Sequence, residues 1–168
     1  MQPTCFQGRR SHADARGVNF VGVASWADFE AAQPDFARRV RKLMQSRKHL
    51  TMATLRRDGS PRISGTEVQF SGEHVQIGSM PRGVKSMDLL RDPRIAIHGP
   101  THDPAKGGAW RGEAKIAGRA VEVASGGEAH LFQIDIEEVV VTRLNDARDE
   151  LVIESWSQEA GYRLRRRA

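Results

Sequence analysis

The chain has 168 residues, of which 39% are hydrophobic and 28% charged, enough to bury the core of one domain without staples. Its single cysteine, Cys5, excludes an internal disulfide, and no apolar run approaches the ~18–20 residues of a membrane span. The net charge of +5 sits at the two ends while residues 49–154 carry thirteen basic against sixteen acidic side chains, which argues against the folded basic face of a nucleic-acid binder.

Residues 1–24 hold no sustained period and are rich in Gly, Arg and Ser. They read as an extended or disordered arm, without the apolar centre of a signal peptide, so a soluble cytoplasmic protein is expected. Residues 25–168 read as a single domain. Ser25 suits a helix N-cap with Asp28 three residues on, and Pro34 suits the first turn of a second helix. Phe36, Val40, Leu43 and Met44 form one helical stripe on that second helix.

From His49 the period changes. Leu50 to Leu55 reads as a buried strand, and Arg57-Asp58-Gly59 as a hairpin turn. Arg62 to Phe70 is expected as one strand, Ser71-Gly72-Glu73 as a turn, and His74 to Ser79 as the next strand. Gly83 to Leu90 is a short helix stopped at Asp92-Pro93, and Arg94 to His98 is a strand. Residues 99–109 form a Gly/Pro-rich loop. Residues 111–123 alternate as a long strand with a bend at Gly118, and Gly126-Gly127 turns the chain. Leu131 to Ile136 and Val139 to Leu144 are two strands or one bent strand. Asn145 to Asp149 turns again, and Glu150 to Trp156 is the last strand. Many short strands joined by tight turns predict a mainly β antiparallel barrel with short flanking helices.

A phosphate requires several fixed donors converging on it. Arg62 begins a strand just past a turn, Ser79 ends another, and Lys85 lies in the first turn of the following helix beside Ser86. Backbone N–H groups around Arg82 and Gly83 at that helix start add donors and a favourable dipole. Gly78 and Gly83 allow a ligand close to the backbone. The set suits a phosphomonoester.

At these residues the chain resembles the pyridoxamine 5'-phosphate oxidase-like superfamily of FMN-binding split barrels. The resemblance covers roughly residues 36–168. It rests on Ala53-Thr54-Leu55 with Asp58-Gly59-Ser60-Pro61, then Ser79 and Lys85, then Asp92-Pro93-Arg94-Ile95, then Ile116-Ala117-Gly118-Arg119-Ala120. It implies a six-stranded Greek-key split barrel, a homodimer and a cofactor bound in the groove between subunits. By the same resemblance Arg62, Ile63 and Ser64 lie along phosphate and ring, and Ser79 and Lys85 hold the phosphate. Val84 replaces the Arg that precedes this Lys in the true oxidases, so Arg82 or the partner's tail is expected to supply the charge. Glu113 stands where the oxidases often carry Gln near the flavin. Trp156, Arg163 and Arg167 resemble the oxidases' C-terminal pattern, but the His-Asp pair within it is absent, so oxidation of pyridoxamine phosphate itself is not expected.

A second branch of this superfamily uses a deazaflavin, coenzyme F-420, and the stretch from Val139 to Trp156 resembles that branch equally. The expectation is an FMN-binding oxidoreductase acting on a small molecule, with a deazaflavin-dependent reductase as the alternative. A flavin- or haem-binding protein without turnover is the third reading. No catalytic side chain stands out. His98, His102 and Asp103 lack metal-ligand spacing, and the adjacent Glu137 and Glu138 point to opposite faces of a strand.

Overall fold

The computed structural model describes residues 12–13, 19–20, 22–104, 110–123 and 129–168. Cys5, the Gly126-Gly127 turn and most of the N-terminal arm lie outside the described residues. Two short strands, β1 (His12–Ala13) and β2 (Asn19–Phe20), pair with each other. Val23 and Ala24, which the sequence reading leaves in the arm, are buried on the body.

Helix α1 (Trp26–Ala32) starts where its cap predicts. The Ser25 hydroxyl accepts from the Asp28 amide while the Asp28 carboxylate accepts from the Ser25 amide. Helix α2 (Pro34–Met44) begins with proline at its first position and buries Phe36, Ala37, Val40 and Met44. The two helices bring Trp26, Phe29 and Phe36 together, with ring centroids 5.3 Å apart for Trp26–Phe29 and 5.6 Å for Phe29–Phe36.

The remaining chain is nearly all antiparallel strand: β3 (Leu50–Leu55), β4 (Pro61–Thr66), β5 (Val68–Ser71), β6 (His74–Ser79), β7 (Arg94–His98), β8 (Glu113–Val123), β9 (His130–Leu144), β10 (Leu151–Ser157) and β11 (Gly161–Arg167). One helix, α3 (Val84–Arg91), separates β6 from β7. Two sequence expectations change here. The Arg62–Phe70 strand is two strands, because the chain changes neighbour at Glu67: β4 pairs with β3, and β5 pairs with β6. Residues Gly161–Arg167 form an eleventh strand beside β10, whereas the sequence reading ends the strands at Trp156. Strand β3 is buried on alternate residues, with Thr51 exposed, so it is a half-buried strand and not a wholly buried one.

The hydrogen-bonded order β11-β10-β9-β8-β7-β3-β4 runs across the sheet, and β6 joins at β9. The bend between β4 and β5 brings the chain back to β6, so β3, β4–β5, β6, β9, β8 and β7 form a six-segment barrel. The split lies along β9. Its first half pairs with β6 through Val75↔Ile134 and its second half with β10 through Trp156↔Val139, while β8 runs the length of its other edge. Between the two, Ala24 forms an isolated bridge to Ile136, its amide and carbonyl each 2.8–2.9 Å from the partner group.

A β-bulge marks the same place. Pairing steps from Ala117↔Glu138 to Gly118↔Ile136, so the backbone register of β8 skips Glu137. The buried face of β9 therefore changes phase, from Phe132, Ile134 and Ile136 to Val139 and Val141. Among the described residues no helix is long and apolar enough to cross a membrane.

Candidate functional site

Where β4 bends away from β6 the barrel opens into a groove of about 970 Å³. It is lined by β4, the β4–β5 bend, β6 and the first turn of α3. Strand β4 ends the hydrogen-bonded path of the sheet, so among the described residues one of its edges is open. The Gly65 carbonyl points from that edge and accepts Lys85 Nζ at 2.8 Å. In an antiparallel strand alternate residues direct both backbone groups to the same side, so Ile63 shares this edge with Gly65. The groove thus offers fixed donors and acceptors along one wall.

Six of the expected site residues meet here: Arg62, Ile63, Ser64, Gly78, Ser79 and Lys85. Gly65 and Gly78 also leave room, since a Cβ added to either would meet nothing within 4 Å and would project into open space. Gly83 differs. A Cβ there would lie 2.9 Å from Ser79 Oγ and 3.0 Å from Ser86 Oγ, so glycine serves internal packing at this position and not ligand approach. Its amide is also taken, donating to the Met80 carbonyl at 3.1 Å, which removes one of the donors expected at the helix start.

The two serines form a closed pair. Ser86 is fully buried and donates to the Gly83 carbonyl at 2.9 Å, and its oxygen lies 2.9 Å from Ser79 Oγ. Either hydroxyl can be the donor between them. Ser86 therefore supports Ser79 from behind and, unlike Arg62 and Lys85, does not line the groove.

Arg62 is held from behind. Its Nε donates to the Asp88 carboxylate at 2.6 Å, and the same oxygen accepts the Thr54 hydroxyl at 3.1 Å. Arg91 donates to the other Asp88 oxygen at 3.0 Å. Burial pushes the Asp88 carboxyl up, but the hydrogen bonds from Arg62, Arg91 and Thr54 outweigh it and hold it below the usual aspartate value. Sequence reading did not single out Asp88, because its three partners come from β3, β4 and the end of its own helix. Arg56 and His49 also line the groove and were not expected there. Arg56 sits across the hairpin turn from Pro61, whose carbonyl accepts its guanidinium. The Asp-Gly turn carried that signal. Among the described residues Glu67 is the one acid on the lining, and it lies 3.3 Å from Lys48 and 3.7 Å from His49. The groove is cationic on balance.

The other expected residues lie elsewhere in this chain. Arg82 is exposed in the turn before α3, with φ +56°, and does not line the groove. Trp156 is only 5% exposed and packs on Phe29 with ring centroids 4.9 Å apart, so it is a core residue. Glu113 stands at the start of β8 between Lys115 at 2.7 Å and His98 at 3.3 Å. Burial raises its carboxyl, but Lys115 and His98 outweigh that and hold it below the usual range. Arg163 and Arg167 lie on β11, exposed, with Arg163 facing a separate shallow hollow beside Ile153 and Ser155.

Among the described residues the split barrel thus carries a cationic, glycine-floored groove beside an open strand edge. No family model and no curated protein matches this chain. Solved structures do. A pyridoxamine 5'-phosphate oxidase-related, FMN-binding protein from Nostoc punctiforme superposes with a TM-score of 0.59 at 11% identity, over 84% of this chain and 97% of that one. PhzG from Burkholderia lata, in complex with tetrahydrophenazine-1-carboxylic acid, superposes with a TM-score of 0.56 at 12% identity, over 83% of this chain and 89% of that one. The likeness shows the fold: this chain folds as a split β-barrel like these solved structures, as the sequence motifs implied.

Proposed function

We propose that this protein is an FMN-binding oxidoreductase of the pyridoxamine 5'-phosphate oxidase-like type. The observation that carries the proposal is the meeting of Arg62, Lys85 and the open edge of β4 in one groove. The groove fits the group on its own terms: Gly65 and Gly78 withhold side chains where a planar ring would lie against backbone. In this reading Arg62 and Lys85 hold the phosphate, with the Ser79 hydroxyl beside them. The backbone of Ile63 and Gly65 and the side chain of Ser64 face the ring. Hydride and electron transfer would be the chemistry supplied by bound FMN, while the protein orients and sheds water.

The water-excluding role falls to a second copy of the chain. Ile63, Met80 and Val84 line the groove yet are 68%, 78% and 59% exposed, an apolar rim left open on the solvent side. A homodimer that covers this rim closes the groove. Arg163 and Arg167 lie away from the groove of their own chain, and the absent His-Asp pair argues against oxidation of pyridoxamine phosphate itself.

The direct test is mass spectrometry of the small molecule released when freshly purified protein is denatured. FMN supports the proposal. Coenzyme F-420 in its place makes the protein a deazaflavin-dependent reductase on the same fold, and haem makes it a binding protein. Protein that releases nothing and leaves the fluorescence of added FMN unchanged overturns the proposal.

A further inference from the structure

Asp88 does not line the groove, yet two of the groove's cations, Arg62 and Lys85, depend on the helix that carries it. Lys85 sits one turn earlier on α3, and Arg62 reaches α3 through Asp88. Thr54 and Arg62 are directly opposed on β3 and β4, and both donate to the same Asp88 oxygen. The Asp88 side chain is only 4% exposed and that of Arg62 27%. Among the described residues, the hydrogen bond of Arg62 runs through Nε, which leaves the N–H groups of both terminal nitrogens for a ligand.

We infer that Asp88 is a positioning residue for phosphate: it clamps Arg62 by Nε and so aims the guanidinium fork into the groove. The inference rests on the reading of the groove as an FMN site. A buried carboxylate behind an anion site is otherwise unfavourable, because its charge repels the anion. Charge alone and positioning therefore make opposite predictions. Removing the Asp88 charge should tighten phosphate binding if only electrostatics act, and weaken it if the orientation of Arg62 matters.

The experiment compares FMN with riboflavin, which carries the ring but no phosphate, by quenching of flavin fluorescence. Melting temperature serves as the check on folding. Asp88→Asn is expected to weaken FMN by about tenfold or more, the scale of a charge-assisted hydrogen bond, and to leave riboflavin within about twofold. In an Arg62→Met background the same substitution is expected to change FMN affinity no further. A loss that persists in that background overturns the inference, since Asp88 would then not act through Arg62. FMN bound by Asp88→Asn as tightly as by the parent also overturns it, while leaving the cofactor reading intact. A parent that binds neither flavin overturns the cofactor reading and the inference with it. Should Asp88→Asn not fold, Arg62→Lys carries the test. Lysine keeps the charge but cannot give one nitrogen to Asp88 and a planar pair to phosphate, so FMN should again weaken by about tenfold. Unchanged affinity would refute the clamp.

Discussion

Residue chemistry names two of the groove's cations, Arg62 and Lys85, while the fold adds Arg56 and decides what each is tied to. Lys85 reaches across the groove to the Gly65 carbonyl, a neutral acceptor that it can leave for a phosphate at small cost. Arg62 is bound to a buried carboxylate and is not free to move in the same way. Lys85→Ala is therefore expected to weaken FMN binding by about 1.5–3 kcal/mol, the worth of a charged hydrogen bond, with little change in melting temperature. Equal FMN affinity for variant and parent would remove Lys85 from the phosphate site. Trp156 shows the opposite lesson. A tryptophan near a basic C-terminal run reads as a cofactor contact, but Phe29 and the sheet bury it. Glu113 likewise answers to Lys115 and His98 at the far end of β8.

At the scale of elements, caps, turns and breakers were legible because each is local. Ser25 and Asp28 form their capping box within one turn, Gly59 takes φ +83° in the hairpin, and Asp92-Pro93 ends α3. The Gly118 bend was also legible, since glycine inside an alternating strand signals close backbone approach. What it approaches was not. An added Cβ at Gly118 would lie 2.0 Å from the Asp135 carbonyl oxygen, at the bulge where β9 changes phase. Gly118→Ala must displace backbone there and is expected to cost about 1–3 kcal/mol, or more if the bulge cannot shift. Urea denaturation measures it, and an unchanged midpoint would mean that the bulge is not tightly specified. The division of Arg62–Phe70 into β4 and β5 carried no comparable signal. Both halves alternate well, and only the competing neighbours β3 and β6 divide them.

The whole molecule is organised by where the sheet divides. Strand β9 serves β6 along one half and β10 along the other, and the barrel closes through the bend at Glu67. That bend opens the groove and leaves an apolar rim facing outward. The homodimer that would cover it is testable by mass in solution with cofactor bound. The parent is expected to be a dimer, and Val84→Asp, an exposed position on α3, is expected to shift it toward monomer and loosen FMN together. A parent that is monomeric with FMN retained would contradict the shared site.

The amino-acid sequence by itself determined most of the strands and helices between Trp26 and Trp156, most of the turns between them and two of the groove's cations, Arg62 and Lys85. Each of these follows from contacts within a few residues, where backbone preference and side-chain chemistry act directly. Only the tertiary structure decided that Asp88 stands behind Arg62, that Trp156 is core, that Ser86 is sealed under Ser79, and that β4 keeps an open edge. Those outcomes depend on which distant segments compete for the same hydrogen-bonding edge or the same buried volume, and no local pattern encodes the winner.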